Sequence, residues 1–313
     1  MIQNDTVLEI FETYTIPLGD WFEVIVQFVV DNFRPVFQAI RAPVNVVLTG
    51  IEAFFQWLPP LVLILAIGLI AWQVASRGIA IYSIFALFFV GFLGAWSQAM
   101  TTLALVLTAV FFCILIGIPL GILSAWNQRF EQTMRPVLDA MQTLPAFVYL
   151  VPVVMLFGIG EVPGVIVTFI FAVPPLIRLT NIGIQQVSEE VVEAAIAFGS
   201  TPRQILWEAQ IPLAMPTILA GVNQAIMLAL SMVVIASMIS VEGLGQMVLR
   251  GIGRLDVGLA TVGGISIVLI AVMLDRLTQA IGKPHRLPWR KRGPVGLVLS
   301  LIQGKTRPQN AAS

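Results

Sequence analysis

GIAIYSIFALFFVGFLGAWSQAMTTLALVLTAVFFCILIGIPLGILSAWNQ, residues 78–128, runs for 51 residues between Arg77 and Arg129 without one Asp, Glu, Lys or Arg. About 20 apolar residues, each rising about 1.5 Å, cross the ~30 Å hydrocarbon core of a bilayer, so this stretch holds two membrane spans. The polar patch from Trp96-Ser97-Gln98 to Thr101-Thr102 is the natural turn between them. The rest of the chain has the same character. Hydrophobic residues make up 58% of 313 positions and charged residues 11%, against roughly 45–50% and about 25% in soluble domains. Such a chain cannot cover a globule with polar surface, and lipid must be its solvent.

Outward from that stretch, the other gaps between ionisable residues predict five more spans. One lies in 53–76, and the others lie in 140–160, 162–182, 209–241 and 257–274. The expected fold is an all-α integral membrane protein with about seven transmembrane helices. Glu23, Asp31, Arg34, Arg41 and Glu52 interrupt the first 57 residues. There, 33–55 is expected to form an amphipathic helix lying in the interface; the alternative is an eighth span in which Arg41 snorkels. The N-terminal MIQNDTVLEIFETYT is acidic and has no basic region leading into an apolar one, so no cleaved signal peptide is expected.

Lysine and arginine set the orientation. With the C-terminus inside, the inner segments carry 13 of the 17 basic residues: Arg77, Arg129, Arg135, Arg178, Arg203, Arg276 and seven in the tail. The acidic N-terminal segment is then outside, and the loop from about 183 to 212 is inside.

Many kinds of chemistry are ruled out by composition. A net charge of zero argues against nucleic-acid binding. One cysteine, Cys113, permits neither a disulfide nor a cysteine zinc site within the chain. The only histidine, His285, sits in the basic tail, away from any apolar site that a catalytic triad would need. No ionisable residue lies near the middle of a predicted span, so a proton relay is not expected. Sodium coupling through carbonyls and hydroxyls stays open. Gly304-Lys305-Thr306 echoes a phosphate-binding loop, but Leu299 stands where its first glycine belongs. Energy for uphill transport must then come from another protein.

The inner loop carries the sharpest signal. Ser188 is placed to cap a short helix whose first turn is acidic, Glu189-Glu190, and Gly199 is placed to end it in a left-handed conformation. Ser200-Thr201-Pro202-Arg203 starts a second helix, which runs through Trp207 to Gln210 and stops at Ile211-Pro212. Two short helices meeting at a bend suit insertion into a groove on a partner. Small Ala194 and Ala195 allow close approach, and Glu193 offers a carboxylate to a basic surface.

Glu193-Ala194-Ala195, Gly199, Ala209, Ile211 and Pro212 follow the spacing of a known signature, and the loop resembles that of binding-protein-dependent ABC importer permeases. Ala209 stands where that family usually has Ile or Val, and Ile211 where it usually has Leu. The stretches DAMQTLPAFVYLVPVVMLFGIG (139–160), PPLIRLTNIGIQQVSEE (174–190), QAIMLALSMVVIASMI (224–239) and GLGQMVLRGIGRLDVG (243–258) are similar to the glycine betaine/L-proline branch. The resemblance covers roughly residues 98–282.

It implies a type I importer permease fold in the bacterial cytoplasmic membrane. Residues 1–57 would be an external segment, 58–97 two accessory helices, 98–282 a five-helix core with a coupling loop at 186–212, and 283–313 a basic inner tail. The partners implied are a second copy of the permease, two ABC ATPase subunits holding ATP and Mg, a substrate-binding protein, and lipid. This chain would bind no cofactor and catalyse nothing itself. Coupling would fall on Glu193, Ala194, Ala195, Gly199 and Pro212. Docking of the binding protein would fall on Glu242, Gly245, Arg250, Arg254 and Asp256. Asn181, Asn223, Gln224, Ser231 and Ser237 would either line a pathway or bond neighbouring helices, and Phe147, Tyr149 and Phe157 could meet a quaternary ammonium. The substrate would be a small osmolyte: betaine, choline, carnitine, proline, trimethylamine N-oxide or a sulfonium analogue. The rival reading is a self-contained channel or sodium-coupled carrier.

Overall fold

The computed structural model describes residues 17–282, together with 293 and 294. The first 16 residues and nearly all of the expected basic tail, His285 included, lie outside the described residues. Every regular element among the described residues is helical. In chain order these are α1 (Leu18–Trp57), α2 (Pro60–Val74), α3 (Arg77–Phe92), α4 (Trp96–Trp126), α5 (Gln128–Thr143), α6 (Ala146–Phe157), α7 (Glu161–Gln185), α8 (Glu189–Ala197), α9 (Pro202–Ile239), α10 (Leu244–Arg254) and α11 (Val257–Gly282).

Four of these, α4, α7, α9 and α11, are long and apolar enough to cross a membrane. Two bent pairs qualify only when taken together: α1 with α2, turned by 108°, and α5 with α6, turned by 105°. Among the described residues, four to six spans therefore meet this test of length and composition, with α3 as a further, shorter apolar helix, against about seven expected. Three of the expected spans are short, because α2, α3 and α6 have 15, 16 and 12 residues. At about 1.5 Å per residue, α6 alone covers roughly 18 Å. The span expected over 140–160 is divided at Leu144-Pro145. Proline biases the residue before it away from helix, and Leu144 is extended at ψ 134. The amphipathic helix expected over 33–55 is longer than the charge pattern indicated and begins at Leu18.

The turn between α3 and α4 also moves. It lies at Leu93–Ala95, and the polar patch from Trp96 to Thr102 forms the first turns of α4 instead. Those residues are buried from Ala99 onward, so their polarity serves contacts inside the protein and not a solvated loop.

α7 and α9 form the central pair. Gly183 meets Thr217 and Ala214, and Gly221 meets Leu176 and Leu179. α4 packs on α7 through the Gly117-x-x-x-Gly121 stripe, where the backbones come close enough for Gly121 to face the Ile177 carbonyl. α1 crosses α4 and α6, burying Val44 and Leu48 and setting Phe37 edge-on to Phe157 with ring centroids 5.3 Å apart. The α2–α3 hairpin leans on α11, where the Tyr82 hydroxyl donates to the Leu269 carbonyl at 3.3 Å.

Candidate functional site

The strongest candidate is the elbow between α7 and α9. α8 ends in a Schellman turn: Gly199 N–H donates to the Ile196 carbonyl at 2.9 Å and Ser200 N–H to the Ala195 carbonyl at 3.0 Å. This turn requires a left-handed residue, and Gly199 supplies φ +83. Thr201 then caps α9 in a capping box with Gln204, and Pro202 occupies the first turn. Ser188 precedes α8 as expected but makes no side-chain capping bond; its carbonyl accepts from Val191 and Val192 instead.

One boundary differs from expectation. The second helix does not stop at Ile211-Pro212. A π-turn over Ile205–Gln210 carries it straight into the transmembrane part of α9, with Pro212 in the next turn. Proline clashes with the carbonyl four residues back and offers no N–H, and the wider π-turn opens the ladder at that point. Pro212 therefore does not end the loop.

The elbow is anchored on one side and bare on the other. Ile205 and Leu206 are buried, and Leu206 packs with Ile184, Ala214 and Ile218. A cavity of about 660 Å³ separates α8 from the ends of α4 and α7, lined in part by Trp126, Ile184, Val192 and Glu193. Phe198 is 91% exposed, Ile196 and Trp207 are exposed, and Glu189, Glu190, Glu193 and Ala194 of α8 are exposed as well. An exposed apolar knob following a helix that exposes carboxylates is the surface that a basic groove would accept.

The 240–256 segment forms a second constellation. After Ser240, in a left-handed conformation, Gly243 at φ +119 turns the chain back so that Leu244 N–H donates to Thr102 Oγ1 at 2.9 Å. A side chain at Gly243 would strike that hydroxyl. Gly245 is buried against the Val233 carbonyl of α9, so it cannot meet a docking partner directly, contrary to expectation. Glu242, Arg250, Arg254 and Asp256 are exposed, and Asp256 also caps α11 through Leu259 N–H. Replacing Thr102 with valine keeps the shape but leaves the buried Leu244 N–H without an acceptor. The expected loss is about 1–3 kcal/mol, seen as a lower melting temperature in detergent. Leu255, 89% exposed, holds φ +54 at the end of α10. Leu255→Gly removes that strain and is expected to stabilise by about 1 kcal/mol, read by the same melt.

Residues 117–284 match the family model described as "Binding-protein-dependent transport system inner membrane component". The chain belongs to this permease family. The permease is 57% identical over 301 residues to the glycine betaine/proline betaine transport system permease protein ProW of Escherichia coli K12, spanning 95% of this chain and 85% of that protein. It is 43% identical to the glycine betaine transport system permease protein OpuAB of Bacillus subtilis, over 85% of this chain and 94% of that protein. A crystal structure of the MetNI methionine ABC transporter in an inward-facing conformation matches with a TM-score of 0.54 at 20% identity, over 60% of this chain and 95% of that one. The permease thus has the type I importer fold.

Within the spans the polar residues divide. Asn181 donates to Glu131 Oε1 at 3.0 Å, and Asn223 donates to Asp275 Oδ1 at 3.1 Å while accepting from Thr278. Both bond helix to helix. Ser237 is buried and donates to the carbonyl of Val234 in its own helix. Gln224 and Ser231 are different: with Met227 they form an exposed stripe along α9. Tyr149 donates to the Met141 carbonyl at 2.7 Å and Phe157 packs on Phe37, whereas Phe147 is exposed.

The reading of the sequence missed the brace between α5 and α7. Glu131 accepts from Asn181 and Gln185 and pairs with Arg135, while Arg178 pairs with Asp139. The available signal was Asn127 before an amphipathic run. Its Oδ1 accepts from Arg129 N–H and Phe130 N–H, starting a helix in the stretch between two expected spans.

Proposed function

We propose that the permease carries glycine betaine, proline betaine or a related quaternary amine into the bacterial cytoplasm. It acts as one of two identical halves of a pore. A separate substrate-binding protein delivers the solute, and two ABC ATPase subunits, which hold ATP and Mg, drive the cycle. The names of the relatives at 57% and 43% identity support the substrate class. The observation that carries the coupling is the elbow from Glu189 to Gln210, exposed along α8 and at Phe198 and anchored by Ile205 and Leu206. It is continuous with the 38-residue α9, so a push on it is delivered along one stiff helix. Glu193, Ala194, Ala195 and Gly199 form the docking face in this reading, with Phe198 as its apolar knob.

The elbow faces the cytoplasm, which places the N-terminus outside and the C-terminus inside, in keeping with the distribution of Lys and Arg. Glu242, Arg250, Arg254 and Asp256 then lie on the outer side, under the binding protein. Gln224 and Ser231 on the open face of α9 look toward the second copy and line the pathway between them, while Asn181 and Asn223 serve helix packing. Residues 1–57 form the external segment, 58–97 the accessory helices, 98–282 the core and 283–313 the inner tail.

Reconstitution tests this directly. Proteoliposomes containing the permease, its ATPase and its binding protein should accumulate labelled glycine betaine only with internal ATP. Accumulation by the permease alone, driven by a sodium gradient, would overturn the proposal in favour of a self-contained carrier.

A further inference from the structure

The α2–α3 hairpin lies outside the residues matched by the family model, and it carries a groove of its own. A groove of about 540 Å³ runs between the two helices, lined by Leu65, Gly68, Leu69, Ile81 and Ile84 and ending at Trp72 and Arg77. Its floor is set by Gly68, on which the Ile84 side chain sits so closely that a methyl group there would collide with it. Leu65, Leu69 and Ile81 on the walls are all at least half exposed. A trough with such exposed apolar walls, on two helices of this hydropathy, takes hydrocarbon and excludes water.

The end of the groove has a different character. The Arg77 guanidinium lies 5.5 Å from the centroid of the Trp72 ring, held there by a cation–π contact. It is exposed and pairs with no carboxylate among the described residues. Arg77 also opens α3, whose helix dipole adds positive potential at the same spot. A cation at the end of an apolar trough, beside an amphipathic indole, matches the join between an acyl chain and a phosphate.

We propose that this groove holds one acyl chain of an anionic phospholipid, with its phosphate on Arg77. A zwitterionic lipid carries its own ammonium close to the phosphate, which offsets the attraction. Phosphatidylglycerol has no such offset. The site is independent of the transported solute and of the elbow.

Native mass spectrometry of the full chain in mild detergent tests the site, with equal amounts of dioleoyl phosphatidylglycerol and dioleoyl phosphatidylcholine added. One phosphatidylglycerol should be retained in preference. Arg77→Gln should retain it about tenfold less, as for loss of a charged hydrogen bond. Ile81→Trp, which fills the groove from an exposed position, should release both lipids while the helical circular dichroism stays unchanged. Equal retention of the two lipids, or retention unaltered by Arg77→Gln, would overturn the proposal. So would a second copy or another protein found seated on the hairpin, or displacement of the lipid by millimolar inorganic phosphate with no dependence on Ile81.

Discussion

Gly199→Val is expected to reduce ATP-driven uptake by more than about tenfold while the permease still inserts and folds. A single dihedral angle decides this outcome. Gly199 sits at φ +83, where a residue with a side chain loses about 1–2 kcal/mol and a β-branched one loses more. Nothing lies within 4 Å of the position a Cβ would take, so valine meets no clash and the helical bundle is not disturbed. The strain is relieved locally. The Schellman turn opens, the bonds from Gly199 and Ser200 to α8 are lost, and α8 swings away from the start of α9.

An elbow with its two helices misaligned no longer presents Glu193, Ala194 and Phe198 as one surface. ATP hydrolysis by the assembled complex should lose its stimulation by the loaded binding protein, while the amount of permease in the membrane stays the same. Gly199→Asn is the control, because asparagine visits the left-handed region at little cost and should keep most of the uptake. Full stimulation in the valine variant would show that the elbow does not transmit the drive.

Gly121→Leu should act on the fold itself. A Cβ at Gly121 falls 2.5 Å from Thr180 Cβ and 2.9 Å from the Ile177 carbonyl oxygen. The first neighbour is a side chain held inside α7 and the second is backbone, so neither can rotate away. Leucine must push α4 off α7, and overpacking of this kind costs about 1–3 kcal/mol even where only side chains move. A loss at or above the upper end of that range is expected, seen as aggregation on size exclusion and a sharply lower melting temperature. Gly253→Ala provides the contrast. Nothing lies within 4 Å of its Cβ position, and α10 should gain about 0.5–1 kcal/mol from the better helix former. A Gly121→Leu variant that melted like the parent would mean that α4 and α7 do not meet as described.

These two glycines were legible in the sequence to different degrees. Gly199 announced itself, because it follows a short helical run and precedes Ser200-Thr201-Pro202, and only a left-handed residue joins two helices so tightly. The Gly117-x-x-x-Gly121 stripe announced close packing without naming a partner. Gly245 was misread altogether. It lies in a polar, glycine-rich stretch that looks like a surface loop, yet it is buried because α10 folds back on α9, and no local pattern encodes that return.

The polar groups show the same division. Asn181 and Asn223 bond to carboxylates 50 and 52 positions away, and spacing along one helix does not say which neighbour its face will meet. Hydropathy was enough to establish that lipid is the solvent. Short-range backbone preferences were enough to place the elbow, because both depend on residues a few positions apart. Helix rotation and crossing settled the rest: the return of α10 onto α9, and which polar residues brace the bundle and which face an open side. Those outcomes depend on contacts between distant segments, where packing between helices overrides the preference of any one of them.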